Sequence, residues 1–276
     1  MLQTALIIFF IAAIILGPAF CELPIEPEYE AFHGPPSNSK DDFKVWFQGM
    51  KSARDKFIQS VKYNDSYYSD PRAHWAASNF IQPQVMVNDK LLFDPSTGTY
   101  TIDKYLDDLN RRYNGIDSVL IWQAYPNLGI DSRNQFQLLD DLPAGGLSEL
   151  VDAFHKRDVK VFIPYNPWDT GTHASSSSDA DMIKSYVDKY GVDGFNGDTM
   201  YGVESQFVEP SFANKSSKLI VAQPESGLPD ADIQFDLQSW AYLVYPDSSY
   251  YTFAPMISRP KWFESRHKVQ LCNRWS

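Results

Sequence analysis

The sequence is poor in cysteine, short of positive charge, and holds a single long apolar run. Two cysteines in 276 residues exclude a disulfide-framed fold and a cysteine-rich zinc module. Lys and Arg number 24 against 35 Asp and Glu, a net charge of −11, and no stretch gathers basic residues into a block. Nucleic-acid binding runs on clustered Lys and Arg, so that class is excluded. No GxGxxG and no glycine-rich phosphate loop follows the first strand-like run, which argues against a nucleotide-binding α/β fold. His173 and His267 lack the paired spacing of a metal site, so no metal and no cofactor is expected.

What is present fits a folded protein. Hydrophobic residues at 43% and charged residues at 21% lie in the globular range, and the length suits one large domain or two small ones. The apolar run, ALIIFFIAAIILGPAF, reaches from Ala5 to Phe20 without a charge. Gly17 and Pro18 break it, and Ala19 and Cys21 are the small residues expected before a cleavage point at Glu22. Residues 1–21 therefore read as a signal peptide, and the mature chain as secreted or lumenal. The alternative is an uncleaved anchor, for which the run is short. No later stretch is apolar enough to span a membrane, so no membrane contact is expected after cleavage. Cleavage leaves Cys272 as the one thiol, without an internal partner. Asn64 (in Asn64-Asp65-Ser66) and Asn214 (in Asn214-Lys215-Ser216) are candidate glycosylation sites in such a compartment.

Residues 22–79 form a proline-rich leader followed by a helical segment, with apolar steps of three and four from Asp41 to Tyr63. A strand–helix rhythm then begins. Apolar strand-like runs fall at 80–87, 118–122, 160–165, 192–196 and 218–223, with a sixth candidate at 251–257. Between them lie helical patterns: 103–113 after Thr101, 147–156, and 179–190 between a serine run and Gly191. Apolar strands alternating with helices mean a parallel sheet covered on both faces. The fold class is α/β, a (β/α)8 TIM-barrel type with five or six strands visible, over residues 80–276 after a helical N-terminal segment. A closed barrel needs eight strands and about 250 residues, so the chain is expected to be incomplete at its C-terminal end.

Barrel chemistry projects from the C-terminal ends of the strands. Those positions hold Trp122, Tyr125, Asn127, Asp131 and Arg133 after the second strand, and Asn166, Trp168 and Asp169 after the third. Asn196 and Asp198 follow on the fourth, Glu225 after the fifth, and Arg266 and His267 after the sixth. Asp198 and Glu225 are the pair that glycosidic cleavage requires, one at the oxocarbenium-like centre and one protonating the leaving oxygen. Aromatic rings can stack on sugar faces, and Arg, Asn and Asp can bind hydroxyls. The bland reading stays open beside this: every barrel carries polar residues at its loop ends, and Trp122 and Trp168 can be packing. His155 reads as a surface or helix-end histidine, where a cation suits the negative end of the helix dipole.

VDGFNGDTM (192–200), preceded by a helix and Gly191, resembles the fourth-strand motif of the α-amylase-type glycoside hydrolases and their α-glucosidase and α-galactosidase-like relatives. LSELVDAFHKRDVKVFIPYNPW resembles their helix leading into a third strand that ends in Asn, and IDSVLIWQAYPN their second strand. The resemblance covers about residues 100–227. It implies a carbohydrate ligand, Asp198 as nucleophile and Glu225, in VAQPESG, as acid/base. Trp122, Tyr125, Asn127, Asp131, Arg133, Asn166, Trp168, Asp169, Asn196, Arg266 and His267 are then the candidate substrate contacts. In an inverting enzyme Asp169 becomes a second candidate base. The chain departs from the pattern at Asn196, where an amylase-like strand carries Arg. That departure keeps two alternatives in view: an inactive barrel that binds glycans or another partner outside the cell, and a non-functional fragment of a longer enzyme.

Overall fold

The computed structural model describes residues 39–126, 131–169, 172–215, 218–225, 232–240 and 268–269. The apolar leader, Asn127, the strand expected at 251–257, Arg266, His267 and Cys272 lie outside the described residues. The chain divides into two compact units, Met1–Lys62 and Tyr63–Ser276.

Among the described residues the first unit contributes one helix, Lys40–Ser60, close to the helix expected from Asp41. The Ser39 hydroxyl caps it by accepting from the Asp42 amide at 3.0 Å, and Asp41 and Asp42 sit at the positive end of its dipole. Phe43 and Phe47, one turn apart, stack at 5.9 Å.

The second unit is built on parallel strands. In chain order the strands are β1 (Gln84–Met86), β2 (Phe93–Asp94), β3 (Thr99–Tyr100), β4 (Ser118–Trp122), β5 (Lys160–Tyr165), β6 (Gly194–Gly197), β7 (Val221–Pro224), β8 (Gln238–Ser239) and β9 (Lys268–Val269). β2 and β3 form a small antiparallel hairpin in the first crossover. The main sheet runs β1-β4-β5-β6-β7, every pair parallel. β8 lies beside β7, where the Trp240 amide donates to the Pro224 carbonyl at 3.1 Å, and pairs parallel with β9 in a separate two-stranded sheet. Neighbours in space are thus neighbours in chain order, the arrangement of a (β/α) barrel. Five strands of it are described in one sheet, at the five strong runs of the sequence, and β8 and β9 form a two-stranded sheet after them.

The helices in the crossovers fall where the periodicity puts them: Ile102–Tyr113, Gly146–Lys156 and Asp179–Tyr190. Leu147, Leu150, Val151 and Phe154 bury one stripe of the second, spaced at three and four residues. The third begins where the Ser178 hydroxyl accepts from the Asp181 amide at 3.1 Å and ends at Gly191, with φ 74°. β1 is shorter than expected. Pro83 cannot donate to a ladder, and the Phe80 and Ile81 amides donate instead to the Asp117 carboxylate at 2.7 and 2.8 Å.

Alternation along the strands sorts the two faces of the sheet. Tyr165 and Phe195 meet Phe207 under the helices, at ring separations of 5.3 and 5.5 Å. Their neighbours Pro164, Asn166, Gly194, Asn196 and Asp198 therefore face inward. Gly194 is inward because nothing larger fits. A Cβ there would stand 2.0 Å from the Val221 carbonyl oxygen and 2.6 Å from Phe162. Inside, a buried polar layer ties β8 to the rest. Gln238 accepts from Gln223 at 2.6 Å and from Asn79 at 3.2 Å, and it donates to the Ala76 carbonyl at 2.9 Å. The Ser118 hydroxyl donates to Asn79 at 2.7 Å.

His155 does more than sit at a helix end. Its Nε2 lies 2.6 Å from the buried Asp193 carboxylate, which also pairs with Lys218 at 3.0 Å and accepts from the Val161 amide at 2.9 Å. Burial opposes ionisation of Asp193, but His155, Lys218 and Val161 outweigh it and hold the carboxyl below its ordinary range.

Candidate active site

Asp198 and Glu225 follow directly on the last residues of β6 and β7 and continue that pairing. Asn196 is in register with Gln223 and Gly197 with Pro224, so the next positions are Asp198 and Glu225. The ladder persists through them: the Asp198 amide donates to the Tyr165 carbonyl at 2.8 Å, and the Glu225 amide to the Gly197 carbonyl at 3.2 Å. Both residues are buried, at 8% and 2% exposure. They stand at the same level on adjacent strands, and adjacent strands lie about 4.8 Å apart.

The turn after β6 joins the two carboxylates. Thr199, a β-branched residue, adopts φ 61°, a conformation such residues seldom enter. That geometry aims its amide at Glu225, donating to Oε2 at 2.6 Å. Backbone strain of this kind is found where a site has to hold one geometry. One oxygen of Glu225 is thus fixed by the residue that follows Asp198.

Around the pair lie the inward residues of the neighbouring strands. Asn166 shares the level of Asp198, two residues beyond Pro164, which pairs with Asn196. Its backbone is clamped by the Gln135 side chain, which accepts from the Asn166 amide at 2.7 Å and donates to its carbonyl at 3.1 Å. Its side chain, 1% exposed, has no hydrogen-bond partner on either Oδ1 or Nδ2 among the described residues. Asn196 Oδ1 and the Trp122 indole Nε1 are likewise buried without a partner among them, while Asn196 Nδ2 donates to the Gln223 carbonyl at 3.2 Å. A buried polar atom left in this state costs about 1–3 kcal/mol.

An aromatic row stands at the rim. Trp122 meets Tyr125 edge-on at 5.2 Å, and Tyr125 stacks on Trp168 at 5.8 Å with 30° between the planes. Tyr125 and Trp168 keep 40% and 36% of their surface exposed.

The other candidates have different surroundings. Asp169 accepts from the Gln135 amide at 2.9 Å, which ties the loop after β5 to the helix Gln135–Asp140, and from the Thr172 hydroxyl of its own loop at 2.6 Å. Arg133 pairs with Asp131 at 2.7 Å and Asp141 at 2.8 Å on an exposed surface. Asn64 and Asn214 are exposed. Among the described residues no group of three or more His, Cys, Asp or Glu is placed to hold a metal ion, and no helix is long and apolar enough to cross a membrane. Gln135, the clamp on Asn166, escaped the reading of the sequence. The signal for it was the Asn134-x-x-Gln137 capping box that starts its helix, with Asn134 accepting from the Phe136 and Gln137 amides.

No protein-family model matches this sequence, and no curated protein matches it. Among solved structures the chain is similar to the alpha-N-acetylgalactosaminidase NagBb from Bifidobacterium bifidum in its GalNAc complex, at 13% identity over 80% of this chain and 46% of that one, with a TM-score of 0.44. It is similar to AmyP in complex with maltose, at 12% identity, covering 62% of this chain and 49% of that one, TM-score 0.36. A third is isomaltulose synthase from Erwinia rhapontici NX5, at 14% identity, 60% of this chain and 48% of that one, TM-score 0.36. The chain spans about half the length of each of these structures.

Proposed function

We propose that this chain is a glycoside hydrolase that cleaves an O-glycosidic bond with Asp198 as nucleophile and Glu225 as acid/base. One observation carries the reading: two buried carboxylates at one level on adjacent strands, at the C-terminal end of a parallel sheet, linked through the Thr199 amide. Adjacent-strand placement suits the separation of about 5–5.5 Å in a retaining pair better than the wider gap that admits a water in an inverting one. Asp198 attacks the anomeric carbon while the glycosidic C–O bond breaks and Glu225 gives its proton to the departing oxygen. Glu225, now ionised, takes a proton from water, the water oxygen attacks the anomeric carbon, and Asp198 is released.

The substrate is a carbohydrate with a face able to lie on the aromatic row of Tyr125 and Trp168. The enzyme works outside the cell or in the secretory lumen, after loss of residues 1–21. A panel of chromogenic α-glycosides, assayed with wild type, Asp198→Asn and Glu225→Gln, tests the reading. Turnover by wild type that falls about 10⁴-fold or more in Asp198→Asn supports it. Asn196, where an arginine would clamp the nucleophile, favours a second reading, a barrel that binds glycan without cleaving it. Binding that persists unchanged in Asp198→Asn, with no turnover by wild type, is the result expected of that reading.

A further inference from the structure

Four buried polar atoms beside Asp198 have no hydrogen-bond partner among the described residues: Asn166 Oδ1, Asn166 Nδ2, Asn196 Oδ1 and Trp122 Nε1. Three neighbouring strand ends supply them, β4, β5 and β6, and strand alternation turns all three side chains inward. Their chemistry is mixed, two donors and two acceptors. An anionic group only accepts and would leave both asparagine oxygens facing negative charge. A cationic group only donates and would meet the indole and amide N–H groups head-on. A hydroxyl does both.

Asn166 adds a geometric constraint. Its amide offers one acceptor and one donor side by side, which matches two neighbouring hydroxyls, one donating to Oδ1 and the other accepting from Nδ2. The two-point Gln135 clamp fixes the backbone from which that amide projects. The Asp198 nucleophile, at the same level on the adjacent strand, repels any further negative charge.

We infer that Asn166, with Asn196 and Trp122, forms a subsite that reads a vicinal diol on an uncharged sugar and discriminates against uronic and other anionic sugars. This rests on the proposed carbohydrate function and names the substrate class of the same site. Asn166 selects among sugars and takes no part in bond cleavage.

The test uses sugars with no anomeric bond to cut, so that binding is read apart from catalysis. Ligand-observed NMR titrations of the full secreted chain would use 1,5-anhydro-D-glucitol and 1,5-anhydro-D-galactitol. The 6-carboxylate analogue of each and tetrahydropyran-2-methanol, which has no diol, serve as comparisons. The anhydroalditols should bind wild type at least about 10-fold more tightly than either comparison, and Asn166→Leu should lose about 10-fold while melting as wild type does. Carboxylate analogues that bind as well as the neutral sugars overturn the inference. So does a folded Asn166→Leu with undiminished affinity, or wild type that binds neither anhydroalditol. If Asn166→Leu does not fold, the comparison among ligands on wild type decides alone. Expected binding with no glycoside turnover would sink the carboxylate mechanism and leave the subsite standing. Turnover with the binding order reversed would do the opposite.

Discussion

Asp236, two residues before Gln238, is fully buried. Its backbone carbonyl accepts from the Tyr68 hydroxyl at 2.6 Å, but neither carboxyl oxygen has a hydrogen-bond partner among the described residues. Burial, with the nearby charge of Asp232, pushes its pKa well above the ordinary aspartate value. A group whose folded pKa is raised favours folding most when both states are protonated. That contribution is complete below the unfolded value of about 3.9 and is lost as pH rises toward the folded pKa, at about 1.4 kcal/mol per pH unit between the two. Asp236→Asn keeps the shape and removes the titration. It should raise the melting temperature at neutral pH and leave it nearly unchanged at pH 3.5, so that the two melting curves, taken across pH, converge on the acid side. A variant no more stable than wild type at pH 7 would show that Asp236 is charged and solvated.

At the scale of elements, β6 leaves no room for a side chain at Gly194. Gly194 sits where a side chain would strike the Val221 carbonyl and Phe162. Gly194→Ala should therefore cost about 1–3 kcal/mol by forcing β6 from β7, measured as a lowered urea midpoint. The boundaries of β4 and β5 were legible to the residue because both are unbroken apolar runs buried on both faces. The helix 179–190 was legible from its serine cap and closing glycine. β8 was not, although Ile233, Phe235 and Leu237 alternate ahead of it. Its own two residues, Gln238 and Ser239, are polar and fully buried, and the layer that satisfies Gln238 comes from Ala76, Asn79 and Gln223, distant in sequence. Local pattern carries no sign of such partners. The same limit applied to His155, whose partner Asp193 is 38 residues away.

For the molecule as a whole, apolar strands alternating with helices led to a barrel with candidate residues at its strand ends. Within the site, Trp122, Asn166, Asn196, Asp198 and Glu225 were legible by position, since each ends or follows a readable strand. Arg133 and Asp131 were not separable from them by sequence, because only the folded loop reveals that they spend their charge on each other and on Asp141. The Thr199 turn was hidden for the same reason. A φ of 61° at a threonine is set by the strand pair on either side and not by the residue. The central claim, that Asp198 attacks an anomeric carbon with Glu225 as its acid/base, is tested most directly by trapping. The protein is incubated with 5-fluoro-α-glycosyl fluorides, digested, and the labelled peptide is sequenced by mass spectrometry. A glycosyl adduct on Asp198, which still forms in Glu225→Gln but is released more slowly because the base that activates water is gone, is the result expected. An adduct on another carboxylate, or wild type that neither labels nor turns over any glycoside of the panel, would contradict it.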